Sequence, residues 1–499
     1  MPFSAFRSIA RLGVIFSLGF VGATARADVH CAAIFGDHMV LQRDTPVPVW
    51  GQASPGETVT VSFADQRRQT NAGLDGRWQV VLAPLATSRD PRELLVTGNN
   101  RVAFTDVLVG EVWFCSGQSN MEKPIGPRVR QQPTDRYEQT LAEADHPLLR
   151  LFQVPRTDLP QTGPGVFTWL PSSGQALTVS DFSAAAYFFG ADLVTQLEVP
   201  IGLIHSSFGG TRIEAWMLPA AFAANPVLRG LEYTRYFAWV PGVQPTDLYR
   251  TMVTPFVPFA IRGFIWYQGE QNVQNAGGSH YAAKMRELIT SWRTAWGRPD
   301  APFYYALVAP YDYSARDTIS PRLTPEALPA LWEDQLKALD VPATGIVITT
   351  DLVPDIHEIH PTNKHDVGGR FARLALAHVY GRSDVIAEGP RFESMQVNPD
   401  RTITLHFANA DGLRSRDGQP LSDFAVAGDD HYFQPAEAKV AGSTVVVSCR
   451  GVSQPVSVRF GWRDTATPNL ENSAGLPAEP FRTDDWPVRR ALPVIPDQP

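Results

Sequence analysis

The chain has 499 residues, with 43 Lys and Arg against 51 Asp and Glu, giving a formal net charge of −8. That acidic balance argues against nucleic acid or an anionic membrane as partner. The length allows two or three domains with a sizeable core, and three cysteines are too few for a disulfide framework and too scattered for a metal site.

The chain opens on a segment that reads as an export signal. Arg7 and Arg11 supply a positive start, Leu12 to Ala23 an apolar run too short to span a bilayer, and Ala25-Arg26-Ala27 a small-x-small cleavage site. Removal of residues 1–27 leaves Asp28 as the first residue and moves the net charge to −11, because the leader holds three arginines and no acid. No small-residue lipobox precedes Cys31, and no later run is long enough to cross a membrane. A periplasmic or secreted protein without a membrane anchor is expected. In such a compartment one disulfide could form among Cys31, Cys115 and Cys449, with the pairing left open.

Residues 28–106 read as short β-strands. Val47 to Gly51, Pro55 to Phe63 and Trp78 to Leu82 are apolar runs, with clear alternation along Thr58 to Phe63, punctuated by turn signals at Ser54-Pro55-Gly56 and Asp75-Gly76. A similar texture returns over residues 388–499, in Thr402 to Phe407 and Thr444 to Ser448. Both ends therefore predict β-sandwich-like segments. Between them, residues 107–387 alternate strand and helix. Strands are expected at Val107 to Phe114, Pro200 to His205, Ile261 to Tyr267, Phe303 to Val308 and Gly345 to Thr350. Helices are expected at Ser183 to Leu197, Tyr281 to Trp296, Pro325 to Leu339 and Asn363 to Tyr380. This alternation predicts an α/β domain built on a doubly wound parallel sheet. The Pro-rich segments 122–180 and 218–256 read as loops around its rim.

Four blocks fall where strand ends should be, the edge at which open α/β sheets bind ligands. Gly117-Gln118-Ser119-Asn120 follows the first central strand, and a serine carried past that edge has its hydroxyl open to a substrate. An ordinary turn uses the same residue types. Gly209-Gly210 lies between the second strand and a helix start, where bare N–H groups suit a developing oxyanion, or where a tight turn simply needs glycine. Gln268, in Trp266-Tyr267-Gln268-Gly269-Glu270, is a neutral amide donor at the rim. His360 precedes Pro361 and a helix start, placed to reach the rim as a general base. His357, His360 and His365 could also be read as metal ligands, but no further well-spaced ligand completes such a site.

Taken together, Gly-Gln-Ser-Asn-Met at 117–121, Gly-Gly-Thr at 209–211 with Glu214-Ala215-Trp216, Trp-Tyr-Gln-Gly-Glu at 266–270 and Ile-His-Pro at 359–361 with Asn363-Lys364 resemble the SGNH (GDSL-type) hydrolases. Within them the chain is similar to the sialate O-acetylesterase-like carbohydrate esterases. Flanking pieces also match: His38 to Arg43 near the start and Gly475 to Asp484 near the end. The resemblance implies Ser119 as nucleophile and His360 as base. It implies an oxyanion hole from the N–H groups of Ser119 and of Gly209 or Gly210, with Gln268 replacing the Asn of many relatives. The superfamily places its acid three residues before the histidine, where this chain has His357. Asp355 is then the first expectation for the acid, Glu358 the second and Asp351 the third, with a Ser-His dyad as the remaining case.

The implied activity is removal of acetyl groups from a glycan by two-step acyl transfer with no metal or organic cofactor. An O-acetylated oligosaccharide or polysaccharide is the expected partner, a plant hemicellulose such as xylan or xyloglucan ahead of an O-acetylated sialic acid. A glycan-binding protein without activity and a glycosidase using Glu214 and Glu270 are the competing classes.

Overall fold

The structure is a computed structural model and describes residues 28–129, 131–156, 166–230, 242–275, 278–316 and 322–492. The expected export segment lies outside the described residues.

One strand organises everything else. Arg101–Gly117 runs for 17 residues, and its burial changes character halfway. Residues 101–106 alternate between exposed and half-buried positions, whereas 107–117 are all buried. The first half pairs antiparallel with Ser88–Thr97 in the N-terminal β-structure. The second half lies in a parallel sheet, between Ile201–Ser207 and Gly263–Tyr267. Strands buried on both faces must be apolar throughout, which is why Val107 to Phe114 lacks alternation. The expected boundary at residues 106 and 107 therefore falls inside a continuous strand, with no linker there.

Across the sheet the order is Trp169–Ser172, His146–Gln153, Ile201–Ser207, Arg101–Gly117, Gly263–Tyr267, Phe303–Ala306 and Thr344–Val347. All neighbours are parallel except the first pair. The chain lays strands on one side of Arg101–Gly117 and then crosses to the other. The strand order thus reverses at its carboxyl end, the position that opens a crevice in doubly wound sheets. Helices Ala184–Leu197 and His365–His378 pack together on one face, while Tyr281–Ala295 and Ala327–Lys337 pack together elsewhere. Ser183 caps the first of these by accepting the Ala186 N–H at 3.1 Å, as its sequence predicts.

The segment 122–180 departs from its reading as loop. It contributes helix Tyr137–Ala142, strand His146–Gln153 inside the sheet, strand Trp169–Ser172 and helix Gly174–Val179. In the segment 218–256, Pro219–Ala224 is helical. The C-terminal region forms two antiparallel four-stranded sheets. They share a core of Leu405, Val445 and Val447 from one sheet with Phe424, Phe460 and Phe481 from the other. Three arginines dock this region onto helix Ala327–Lys337 and its start: Arg459 on Glu326, Arg482 on Glu333 and Arg490 on Asp334. All three cysteines are free thiols, so the disulfide allowed by the sequence is not formed.

Gly117 shows how tightly the central strand is held at its end. Its φ is +147°, and a Cβ there would stand 2.2 Å from the Tyr267 carbonyl oxygen. At the other end of the parallel half, the fully buried Glu111 accepts hydrogen bonds from Arg43 and from Arg262 (2.6 and 3.0 Å). Gln42 completes the cluster by accepting the Val112 N–H at 2.8 Å, which accounts for the Gln-Arg pair of the flanking motif. Removing one partner of such a buried cluster leaves charge uncompensated. Arg262→Met is expected to lower stability by about 3 kcal/mol, read as a lower thermal unfolding midpoint. An unchanged midpoint would show that Arg43 alone satisfies Glu111.

Candidate active site

Ser119 is the first residue of a short helix, Ser119–Glu122, which starts two residues after the central strand ends. The turn is fixed from below: Gln118 donates its N–H to the Tyr267 carbonyl (3.0 Å) and Phe208 donates to the Gly117 carbonyl (3.1 Å). Ser119 and His360 line one cavity of about 690 Å³, together with Gly209, Gly210, Glu122 and Gln271. Of the expected residues, the structure therefore brings Ser119, Gly209, Gly210 and His360 to one place. Ser119 Oγ has no hydrogen-bond partner among the described residues, so no direct bond joins it to His360.

The histidine loop is held by a turn. Glu358 donates its N–H to the Asp355 carbonyl (3.1 Å), and the Glu358 carboxylate accepts the His360 N–H at 2.8 Å. The same carboxylate oxygen lies 3.5 Å from His360 Nδ1. Asp355 spends its carboxylate on the His357 N–H (2.8 Å), and Asp351 forms a two-bond ion pair with Arg370 (2.7 and 2.6 Å). Of the three expected acids, Glu358 and not Asp355 is the carboxylate that lies beside the His360 ring. The expectation assumed an extended segment in which side chains alternate, whereas the chain turns between the two acids. Burial and the positive charges of Lys364, Lys123 and Arg128 push the His360 pKa down, to about 3. The imidazole is therefore neutral at neutral pH.

Two of the expected oxyanion donors are placed differently. Gln268 is fully buried and absent from the cavity wall. Its Nε2 donates to Gln118 Oε1 (2.9 Å) and Asn272 Oδ1 (2.7 Å), and its Oε1 accepts from Tyr281 (2.6 Å). Both amide hydrogens are committed, so Gln268 supports the nucleophile turn from behind. The Gly209 N–H donates to the Glu122 carboxylate at 2.7 Å. A Cβ on Gly209 would lie 3.1 Å from the Ser119 Cβ, so the glycine is needed for close approach. The Ser119 and Gly210 N–H groups have no partner among the described residues, and they are the donors left for an oxyanion.

Glu122 itself was not foreseen, although it stands three residues after Ser119 on one helix face. It accepts hydrogen bonds from Arg128 (3.0 Å) and Arg156 (3.4 Å) at the cavity wall. Gln271, likewise unforeseen, has a buried Nε2 without a partner among the described residues. Glu214 and Glu270 do not line the cavity. Glu214 is locked to Lys284 (2.8 Å) and Arg212 (2.6 Å), which hold its pKa at about 2 against burial, and Glu270 bonds the Asn120 amide. A glycosidase pair is excluded by this placement. Among the described residues, no group of three or more His, Cys, Asp or Glu is arranged to hold a metal ion, and no helix is long and apolar enough to cross a membrane.

A parallel sheet with a serine past its central strand, paired glycines on the next and a histidine loop beyond the last defines a hydrolase of the SGNH type. Residues 109–377 match the family described as carbohydrate esterase, sialic acid-specific acetylesterase. The chain belongs to that family. It is 33% identical to a carbohydrate acetylesterase from Xanthomonas citri, with a TM-score of 0.80 over 92% of this chain and 100% of that one. It is also similar to the sialate O-acetylesterases of Pongo abelii (26% identity) and Homo sapiens (25%), covering 90% of this chain and 91% of each relative.

Glu358→Gln is expected to lower esterase kcat on the order of 10²-fold, because an amide orients the imidazole less firmly than a carboxylate does. Asp355→Asn should stay near wild type. Equal losses in steady-state assays of the two variants would make the turn as a whole, not the Glu358 carboxylate, the orienting element.

Proposed function

We propose that this chain is an exported serine O-acetylesterase that removes acetyl groups from plant hemicellulose, xylan or xyloglucan, by a Ser119–His360 acyl-enzyme mechanism. The observation that carries this reading is one cavity holding Ser119 past the central strand and His360 in its neutral, basic form. In the first step His360 takes the Ser119 proton while Oγ attacks the acetyl carbonyl. The Ser119 and Gly210 N–H groups hold the oxyanion, and the imidazolium returns the proton to the departing sugar oxygen. Water, deprotonated by the same histidine, then attacks the serine ester; the C–Oγ bond breaks, Oγ takes back the proton from the imidazolium, and acetate leaves.

A neutral glycan is supported by the state of the cavity's arginines. Arg128 and Arg156 are engaged by Glu122, and Arg316 lies over the Tyr311 ring at 4.9 Å. None of the three stands as a dedicated receptor for a sugar carboxylate. The names of the mammalian relatives favour a second reading, an O-acetylated sialic acid. Periplasmic or secreted placement rests on the first 27 residues as read from sequence.

Acetate release and mass analysis on acetylated xylan, acetylated xyloglucan and 9-O-acetyl sialic acid decide between substrates. Turnover of the sialic acid alone would overturn the hemicellulose reading. Ser119→Ala should cost several orders of magnitude in kcat with the fold intact. An alanine variant that keeps more than about a tenth of the turnover would exclude the serine mechanism.

The pH profile gives an independent check. A base whose pKa is lowered keeps its reactive form to lower pH, so kcat/KM should not fall as pH drops through 6.5, the ordinary histidine value. Its acid limb should lie nearer 3. An acid limb at the ordinary value would place His360 in a solvated, unperturbed setting.

A further inference from the structure

Residues 311–316 contribute to the wall of the cavity that holds Ser119. Tyr311 and Arg316 line the cavity, and Tyr311 packs edge-on against Tyr313 with ring centroids 4.8 Å apart. This loop has little regular structure of its own. Its backbone is held instead by a residue of the C-terminal region, Asp464. Asp464 accepts the Ser314 N–H on its carboxylate at 2.8 Å and the Tyr311 N–H on its carbonyl at 2.9 Å. Its own N–H donates to the Pro325 carbonyl at 2.8 Å. From the same loop, Asp312 donates its N–H to the Ile356 carbonyl (3.0 Å), four residues before His360.

Asp464 is 1% exposed, and burial together with the nearby Asp312 raises its pKa to about 6. A carboxylate kept in so unfavourable a place, on a loop of the C-terminal sandwich, calls for a role. Elsewhere this region meets the catalytic domain through Arg459, Arg482 and Arg490, whose ion pairs lie along helix Ala327–Lys337. Asp464 is different because it holds the loop that carries Tyr311 and Arg316 to the cavity, with one of its bonds ending on Tyr311 itself.

We propose that Asp464 is a positioning residue through which the C-terminal β-region sets the glycan-binding wall formed by Tyr311 and Arg316. The inference rests on the reading of the cavity as a glycan site. It predicts that the C-terminal region governs recognition of the sugar more than attack on the acetyl group. A small activated ester such as 4-nitrophenyl acetate needs Ser119, His360 and the oxyanion donors. An acetylated xylo-oligosaccharide also needs the wall.

The test compares kcat/KM on both substrates for the full chain and its variants. In Asp464→Ala the ratio of oligosaccharide to 4-nitrophenyl acetate kcat/KM should fall about tenfold, mostly through KM, the size of one lost buried hydrogen bond. Asp464→Asn keeps an acceptor for the Ser314 N–H and should restore most of the ratio. Tyr311→Ala should reproduce the fall without disturbing the C-terminal region, which keeps the test open if Asp464→Ala does not fold. Equal losses on both substrates, or an unchanged ratio in Tyr311→Ala, would overturn the proposal. If the wild-type protein hydrolyses 4-nitrophenyl acetate but no acetylated oligosaccharide, the glycan reading itself fails, and that outcome is separate from any variant's behaviour.

Discussion

The amide of Asn120 is the contact on which the site depends. Asn120 follows Ser119 directly, and its Nδ2 donates to the carbonyl of Ile359 (3.0 Å), the residue before His360. The same nitrogen donates to Glu270, and Oδ1 accepts from Lys364 Nζ (2.8 Å). One fully buried side chain thus ties the serine turn, the Tyr267–Glu270 strand end and the histidine loop to each other. Asn120 lies 150 residues from Glu270 and 239 from Ile359 in sequence, and strand pairing alone would leave the histidine loop unregistered. In a site shielded from water each of these bonds is stronger than on the surface, and each is costly to leave unmade. Burial raises the Glu270 pKa and lowers that of Lys364 to about 7, while the contact with Asn120 works against the first of these shifts.

The same logic recurs elsewhere in the sheet. Glu111 joins Arg43 from the N-terminal segment and Arg262 from the start of the next central strand. Glu214 joins Arg212 to Lys284 of a helix seventy residues later, with Asn272 donating at 3.0 Å. Arg150 bonds Asp106 across from the N-terminal β-structure. Buried ion clusters of this kind add little net stability over apolar packing, but a wrong register leaves a charge without a partner. They make the alternatives expensive, and so they fix which strand end meets which. Precision at the rim follows for Ser119 and Gly209, each two positions past the end of an anchored strand.

Long-range contacts of this kind leave no local trace in the sequence. The central strand, the helices and the meeting of Ser119 with His360 followed from apolar runs, caps and motif order, all local or carried by resemblance. Strand His146–Gln153 was missed because Pro147 and a charged Arg150 broke its apolar signal. Arg150 is tolerated there only through Asp106, a partner 44 residues away that no local pattern reveals. Gln268 was assigned to the rim because it ends a strand, but sequence does not say which way a side chain points. In the fold its amide finds Gln118, Asn272 and Tyr281 beneath the rim. Asp355 was preferred by assuming an extended chain, and one hydrogen bond from Glu358 to the Asp355 carbonyl reversed the order.

The cations around His360 bear on more than the base. Lys123, Lys364 and Arg128 lower its pKa, which lowers the driving force for proton removal from Ser119. A weaker base would be a handicap if the field acted on the histidine alone. In the proposed mechanism negative charge develops on the acetyl oxygen in the same step, where positive charge nearby would stabilise it. With Gln268 turned inward and the Gly209 N–H given to Glu122, few direct donors remain to the oxyanion. In the proposed mechanism the buried positive charges supply part of what those two donors do not. The site then trades basicity at His360 for stabilisation of the charge that forms opposite it. Glu358, 3.5 Å from Nδ1, stands where it can accept the imidazolium N–H once the proton has moved.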